Sequence, residues 1–89
     1  MNIVQLTLLT TPGCHNCERF KEFWSSVRDG WPNVDHRELD IAISPEAQEL
    51  AQKHMVFASP GIILNGELFA SGGFDKDKFL ARIKELSGN

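Results

Sequence analysis

The chain has 89 residues, of which 42% are hydrophobic and 24% are charged, and its formal net charge is -3. This size and balance predict a single globular domain spanning residues 1–89, with a modest hydrophobic core. They argue against nucleic-acid binding, which needs a basic stripe to neutralise phosphates, and no apolar run approaches the roughly 18 residues that a membrane span requires.

The first predicted strand and helix meet at a short turn. Ile3–Thr10 is mostly apolar and rich in β-branched side chains, which is typical of a central strand buried on both faces. Thr11-Pro12-Gly13 ends this strand, because proline cannot continue a β-ladder and glycine permits a sharp turn. From Cys14 to about Arg28 a helical stripe of apolar residues follows: Cys17, Phe20, Trp24 and Val27.

The middle of the chain predicts an edge strand and a second helix. Val34–Ile41 mixes polar and apolar side chains, a composition that favours the edge of a sheet. The next helix begins with Ser44 as N-cap, Pro45 at the first helical position and an acidic residue in the first turn. Its inward face is predicted to contain Ala47, Leu50, Ala51 and His54.

Two short strands and a third helix complete the chain. Gly61–Leu64 and Glu67–Ala70 flank Asn65-Gly66, which is the strongest short-range signal of a β-hairpin. After a second turn, Asp75 can cap a last helix over Lys76–Leu86. The element order is therefore β-α-β-α-β-β-α, which predicts an α/β fold with one four-stranded mixed sheet and helices on both of its faces.

The only two cysteines, Cys14 and Cys17, lie at the junction of the first strand and helix. Two cysteines are too few for the disulfide framework of a small secreted protein, and the N-terminus shows no signal-peptide pattern. We therefore expect a cytoplasmic protein in which the C-x-x-C pair is catalytic or binds a metal. A pair of packing thiols is the alternative, but packing gives no reason for this spacing after a Pro-Gly turn.

The two thiols should differ in reactivity. Cys14 lies at a helix N-terminus, where unpaired N–H groups and the helix dipole favour an anion and should lower its pKa below about 8.5. Cys17 lies one turn later on the apolar stripe, where burial disfavours the thiolate. Cys14 is therefore the predicted nucleophile, and Cys17 is the predicted resolving thiol of a disulfide exchange.

Three patches of sequence occur in a characteristic order: Thr11-Pro12-Gly13-Cys14-x-x-Cys17, Ser59-Pro60, and Asn65-Gly66 followed by Gly72-Gly73-Phe74-Asp75. Together with the element order, they resemble the thioredoxin-like superfamily, nearest to its glutaredoxin and small-redoxin branch. The resemblance implies a three-layer α/β/α fold and a thiol–disulfide oxidoreductase of electron transport and cell redox homeostasis. The chain departs from the family pattern in its His15-Asn16 dipeptide and in having no Asp or Glu in the first strand.

The resemblance also implies a set of substrate contacts: Pro12, Gly13, Ser59, Pro60, Gly72, Gly73 and Asp75. Pro60 would follow a cis peptide bond and face the cysteines, and the backbone beside it would pair with an extended substrate segment. The glycine pair and Asp75 have two interpretations. They form either a tight turn with an N-cap or a group of N–H donors that receives a carboxylate of glutathione.

His15 and Asn16 lie between the cysteines and are predicted to tune them. A protonated imidazole beside Cys14 would stabilise its thiolate and make the disulfide a stronger oxidant. If the His15 side chain instead points to solvent, it has no such effect.

No cofactor or resident metal is predicted beyond a redox-active disulfide of Cys14 and Cys17, with glutathione as an alternative co-substrate. The expected partners are a protein disulfide and either a reductase or glutathione, and the protein is expected to be a monomer. Two rival hypotheses stay open. Cys-x-x-Cys is half of a zinc site, and a zinc ion or an iron–sulfur cluster could be shared across a dimer. Small copper carriers also place C-x-x-C after a first strand, although their element order differs. A redox-inert binding module could also have kept the fold.

Overall fold

The computed structural model describes residues 1–88, which form four strands and three α-helices. The elements in chain order are β1 (Val4–Thr10), α1 (His15–Val27), a 3₁₀ turn (Arg28–Gly30), β2 (Val34–Asp40), α2 (Pro45–Lys53), β3 (Gly61–Leu64), β4 (Glu67–Ser71) and α3 (Lys76–Leu86). This order confirms the predicted β-α-β-α-β-β-α arrangement. Among the described residues, no helix has the length and apolar character needed to cross a bilayer.

The sheet has the strand order β2-β1-β3-β4, so β1 is central and β2 lies at one edge. β1 pairs in parallel with β2 and antiparallel with β3, and Leu8 lies opposite Glu38 on one side and Ile62 on the other. β3 and β4 form an antiparallel hairpin. The predicted mixed sheet, with a polar edge strand and a buried central strand, is confirmed.

Side chains of β1 and β3 alternate between two cores, as successive residues of a strand must. Leu6 and Leu8 enter the larger core, which contains the buried aromatic side chains of α1 and α3. Leu9 enters the smaller core, against Ala47 of α2. The helices therefore cover both faces of the sheet, with α1 and α3 on one face and α2 on the other.

The hairpin turn has the conformation that its sequence predicts. Asn65 and Gly66 both have positive φ, at 50° and 81°, as a type I′ turn requires. The Asn65 side chain also accepts a hydrogen bond of 2.8 Å from the Gln5 N–H of β1. This bond fastens the turn to the central strand.

Capping side chains define the start of each helix. Ser44 accepts from the Ala47 N–H at 3.1 Å, and Asp75 accepts from the Lys78 N–H at 3.0 Å, as predicted. Cys14 is the N-cap of α1, with extended backbone angles, so α1 begins one residue later than its predicted start. β1 likewise begins at Val4, because Ile3 is 63% exposed and lies outside the ladder.

Phe79 of α3 is the aromatic centre of the larger core and is fully buried. Its ring lies 5.2 Å from that of Phe20, 6.0 Å from that of Trp24 and 5.6 Å from that of Phe69, measured between centroids. Edge-to-face contacts of this kind add to the hydrophobic gain from burying the ring. The packing of α1 and α3 against the sheet therefore depends on this side chain.

We expect Phe79→Ala to lower the free energy of unfolding by about 3–5 kcal/mol, because it removes a large buried side chain and leaves a cavity. Phe57→Ala is the matched control: Phe57 is 87% exposed, so the same substitution there should change stability by less than about 0.5 kcal/mol. Urea denaturation of both variants measures the difference. Equal effects at the two positions would contradict the assigned core.

His36 of β2 is half-buried against the indole ring of Trp24, with ring centroids 6.2 Å apart. Burial lowers the pKa of His36 below its ordinary value of 6.5. The positive charge of Arg28 adds to this lowering, while the carboxylates of Glu38 and Asp35 oppose it. The folded protein therefore resists protonation of this imidazole more than the unfolded chain does.

Because the unfolded chain binds this proton more readily, the contribution of His36 to stability should be lost as the pH falls below 6.5. We expect His36→Gln to flatten the dependence of unfolding free energy on pH between about pH 7.5 and about pH 5.5. Urea denaturation across this range measures the slope. His15→Gln, at an exposed position, is the control and should keep the wild-type slope. A wild-type slope in the His36 variant would contradict the prediction.

Candidate active site

Cys14 and Cys17 form a disulfide at the end of the central strand, with their Cα atoms 5.2 Å apart. The chain leaves β1 at Thr10 and turns at Gly13, whose φ of 70° is readily adopted only by glycine. It then enters α1 at His15. The tight turn therefore places both sulfur atoms at the N-terminus of α1, as predicted.

The two cysteines lie in different surroundings. Cys14 is half-buried, whereas Cys17 is only 2% exposed and belongs to the apolar face of α1. The N–H of Cys17 donates a hydrogen bond of 3.0 Å to the Sγ atom of Cys14. Solvent and a partner can therefore reach Cys14, while Cys17 contacts mainly the protein interior.

The loop before β3 lies against Cys14. Its Ser59–Pro60 peptide bond is cis, as the family resemblance implies, and the Ser59 hydroxyl lies 3.2 Å from the Cys14 sulfur. The same hydroxyl lies 2.7 Å from that of Thr11, in the turn after β1. The fold therefore brings two loops from distant parts of the sequence to the sulfur atom, and one of them is the predicted facing loop.

The predicted turn at Gly72-Gly73 is hydrogen-bonded to this loop. The Gly72 N–H donates to the carbonyl of Pro60 at 2.9 Å, and the Ser71 hydroxyl donates to the carbonyl of Ala58 at 3.0 Å. The N–H of Gly72 is thus already bonded within the protein. Asp75 caps α3 through its carboxylate. At these two positions the structure shows the tight turn and the N-cap, which were one of the two interpretations.

Gly73 is exposed and lines a cleft of ≈ 530 Å³ between α1 and the start of α3. Asn16, from between the cysteines, lines the same cleft. Sequence reasoning missed three of its other residues, Arg19, Glu22 and Lys76. In the sequence, each of these charged residues is typical of the solvent-exposed face of a helix. The available signal was proximity to predicted site residues, because Arg19 is two residues from Cys17 and Lys76 follows Asp75 directly.

The remaining predicted residues lie at the surface beside the disulfide. Pro12, Gly13 and His15 are all exposed, and the exposure of His15 agrees with the side chain pointing to solvent.

His36 and His54 lie on β2 and after α2, on opposite sides of the sheet. Among residues 1–88, no three His, Cys, Asp or Glu side chains group together as ligands for a metal ion.

Comparison with solved structures identifies the architecture. A thioredoxin-2, described as a component of malaria parasite protein secretion machinery, superposes with a TM-score of 0.73 at 20% identity, over 94% of this chain and 84% of that one. The oxidised form of mitochondrial thioredoxin 3 from Saccharomyces cerevisiae gives 0.72 at 19% identity, over 96% and 80%. The chain has the thioredoxin-like fold. The thioredoxin-like protein BC3987 matches this domain at 25% identity, over 85% of this chain and 96% of its own, with a TM-score of 0.65.

These matches extend along nearly the whole thioredoxin-like domain, so its α/β architecture as predicted is confirmed. No protein-family model and no curated protein matches the sequence. The branch within the superfamily, and with it the use of glutathione, stays a prediction.

We expect reduced protein to be alkylated at Cys14 before Cys17, because Cys14 is half-buried and Cys17 is 2% exposed. With limiting iodoacetamide near neutral pH, modification of Cys14 should exceed that of Cys17 on the order of tenfold or more. Mass spectrometry of the peptides measures both. Protein unfolded in urea is the control and should lose the preference, whereas equal modification in the folded state would contradict the assigned roles.

Proposed function

We propose that this protein is a thiol–disulfide oxidoreductase in which Cys14 is the nucleophile and Cys17 the resolving thiol. The observation that carries the proposal is the disulfide itself. It joins a half-buried sulfur at a helix N-terminus to a buried sulfur one turn later, and the hydroxyl of Ser59 in the facing loop lies 3.2 Å from the first sulfur. Two thiols in unequal surroundings can perform the two unequal steps of disulfide exchange.

In the first step, the Cys14 thiolate attacks one sulfur of a target disulfide. A bond forms between the Cys14 Sγ and that sulfur, the target disulfide breaks, and the other target sulfur leaves as a thiolate that takes up a proton. The N-terminus of α1 favours the ionised form of Cys14 through its unpaired N–H groups. The N–H of Cys17, 3.0 Å from the Cys14 sulfur, is one such donor.

In the second step, Cys17 loses its proton and attacks the Cys14 sulfur. The Cys14–Cys17 bond forms, the mixed disulfide breaks, and the second target sulfur leaves and is protonated. Two electrons have then passed from the protein dithiol to the target disulfide. The burial of Cys17 suits this role, because it keeps the second thiol protonated and away from other disulfides until Cys14 has reacted.

A protein disulfide is the proposed principal substrate. The surface around Cys14 is open, since Pro12 and Gly13 on one side are exposed. Phe57, two residues before Ser59 in the facing loop, is 87% exposed and offers an apolar side chain to a partner. An extended target segment lying along the backbone at Ser59-Pro60 would bring its disulfide to the Cys14 sulfur.

Glutathione is the proposed alternative co-substrate, favoured by the cleft beside the disulfide. Arg19 and Lys76 line this cleft, and neither forms an ion pair within residues 1–88. Two cations and the exposed Gly73, in the turn before α3, suit the carboxylates of glutathione, and Glu22 suits its ammonium group. Either glutathione or a reductase would then recycle the oxidised pair.

The proposed setting is the cytoplasm, where the protein would act as a monomer without a further cofactor. Reducing conditions there keep a C-x-x-C pair cycling between dithiol and disulfide rather than fixed as a structural bond. This role places the protein in electron transport and redox homeostasis. Its direction of action depends on the reduction potential of the pair relative to that of its surroundings.

The deciding experiment compares wild type, Cys14→Ser and Cys17→Ser in reduction of a protein disulfide and of a glutathione mixed disulfide. With dithiothreitol as reductant, we expect Cys14→Ser to fall to the uncatalysed rate, because it lacks the attacking sulfur. With glutathione as reductant, Cys17→Ser should keep activity on the glutathione mixed disulfide if glutathione is a co-substrate, because glutathione can resolve the bond to Cys14 from solution. Full activity of Cys14→Ser would contradict the mechanism, and inactivity of Cys17→Ser with glutathione would contradict glutathione as co-substrate.

The same preparations test the rival hypotheses. Metal analysis of protein purified without oxygen should find less than one bound zinc, copper or iron per two chains. Stoichiometric metal that is lost in Cys14→Ser would favour a site shared between two copies. Wild type that reduces neither substrate would favour a redox-inert binding module.

A further inference from the structure

The tip of the β3–β4 hairpin places the side-chain amide of Asn65 directly before the backbone nitrogen of Gly66. Both residues are exposed, and a Cβ atom added at Gly66 would meet no other atom within 4 Å. Among residues 1–88, the Gly66 N–H donates no backbone hydrogen bond. Water can therefore reach this nitrogen and remove its proton, and no side chain shields it.

The central strand polarises the amide carbonyl of Asn65. Its Oδ1 atom accepts a hydrogen bond of 2.8 Å from the Gln5 N–H, and the Asn65 N–H donates to the Gln5 carbonyl at 2.9 Å. Attack on a carbonyl carbon places negative charge on its oxygen, and a fixed N–H donor at that oxygen stabilises the charge. The Gln5 backbone therefore favours attack of a nucleophile on the Asn65 Cγ atom.

The nucleophile and the carbon that it would attack belong to neighbouring residues of one chain. Closing the bond between the Gly66 nitrogen and the Asn65 Cγ atom forms a cyclic imide. A reaction within one molecule avoids the entropic cost of bringing two reactants together. An exposed amide, an exposed N–H and a donor at the amide oxygen thus occur together at this turn.

We propose that Asn65 is a self-modification site, at which the folded protein loses a side-chain amide by reaction with the Gly66 backbone. The Gly66 nitrogen gives up its proton and bonds to Cγ, the bond from Cγ to Nδ2 breaks, and the amide nitrogen leaves as ammonia with that proton. Water then adds to either carbonyl of the imide and opens it. One product is aspartate. The other is isoaspartate, in which the main chain runs through the side-chain carbon atoms.

Asn33 and Asn16 lack this arrangement and are internal controls. Asn33 is 7% exposed, and its side-chain nitrogen donates two hydrogen bonds, at 2.8 and 2.7 Å. Asn16 is followed by Cys17, whose N–H donates to the Cys14 sulfur. In both cases a group that must react is already bonded, so these amides should persist.

The modification lies at the end of the sheet remote from the disulfide. Leu64, directly before Asn65, pairs with Leu6 near the start of β1, whereas Cys14 follows the end of that strand. Isoaspartate lengthens the main chain of a two-residue turn, and the length of such a turn sets the register of the hairpin. The isoaspartate form should therefore be less stable than the aspartate form, while the surroundings of the disulfide stay intact.

The test incubates the full folded chain at mildly acidic and mildly alkaline pH and maps its peptides by mass spectrometry. We expect modification at Asn65 to exceed that at Asn16 and Asn33 on the order of tenfold or more, because only Asn65 has an activated carbonyl. The rate should rise with pH, since the Gly66 nitrogen must lose a proton. Asn65→Gly keeps a dipeptide that suits the turn and should release no ammonia from this position.

Two results of this experiment would overturn the proposal. One is modification of Asn65 no faster than that of Asn16 and Asn33. The other is modification of Asn65 in urea-unfolded protein alone, because the folded hairpin would then protect the amide.

Urea denaturation of chromatographically separated forms tests the consequence for stability. The isoaspartate form should unfold at a lower urea concentration than Asn65→Asp, which carries the same added charge without the longer main chain. Equal midpoints would contradict the proposed effect on the hairpin. The inference does not depend on the proposed redox function: both forms should reduce disulfides at the rate of fresh protein, and the peptide map gives its result even if the chain has no such activity.

Discussion

Burial of β1 on both faces is the constraint on which the rest of the structure depends. Alternate side chains of this strand enter two separate cores, so α1 and α3 must cover one face while α2 covers the other. The strand also pairs on both edges, with β2 and with β3. Two neighbouring strands and two hydrophobic cores therefore restrict the motion of β1, and a rigid element is a suitable position for a reactive site.

The site gains its chemistry from the way this strand ends. A tight turn leads directly from the buried ladder to the N-terminus of α1, so the unpaired N–H groups of the helix and the sulfur of Cys14 occupy one small region. One turn of helix later, the same backbone carries Cys17 into the apolar face. The difference between the thiols thus follows from helix geometry and the packing of α1.

The opposite wall is assembled by tertiary contacts. The loop at Ser59-Pro60 bonds to the turn at Ser71-Gly72 through two hydrogen bonds, and it also contacts the turn at Thr11 through a hydroxyl pair. These contacts connect the three loops at the active-site end of the sheet. Only one of these loops, through the Ser59 hydroxyl, reaches the Cys14 sulfur itself.

The sequence alone determined the order and type of the strands and α-helices, the caps at Ser44 and Asp75, the hairpin at Asn65-Gly66 and the unequal roles predicted for the two cysteines. These features depend on residues that are close together in the sequence, so the types of those residues indicate them directly. Only the tertiary structure decided that the Gly72 N–H donates a hydrogen bond to the Pro60 carbonyl and that a cleft opens beside the disulfide. It alone also placed Ser59 between Thr11 and Cys14. Such contacts join residues far apart in the chain, and a hydroxyl or a surface charge gives no local sign of the partner that folding will bring to it.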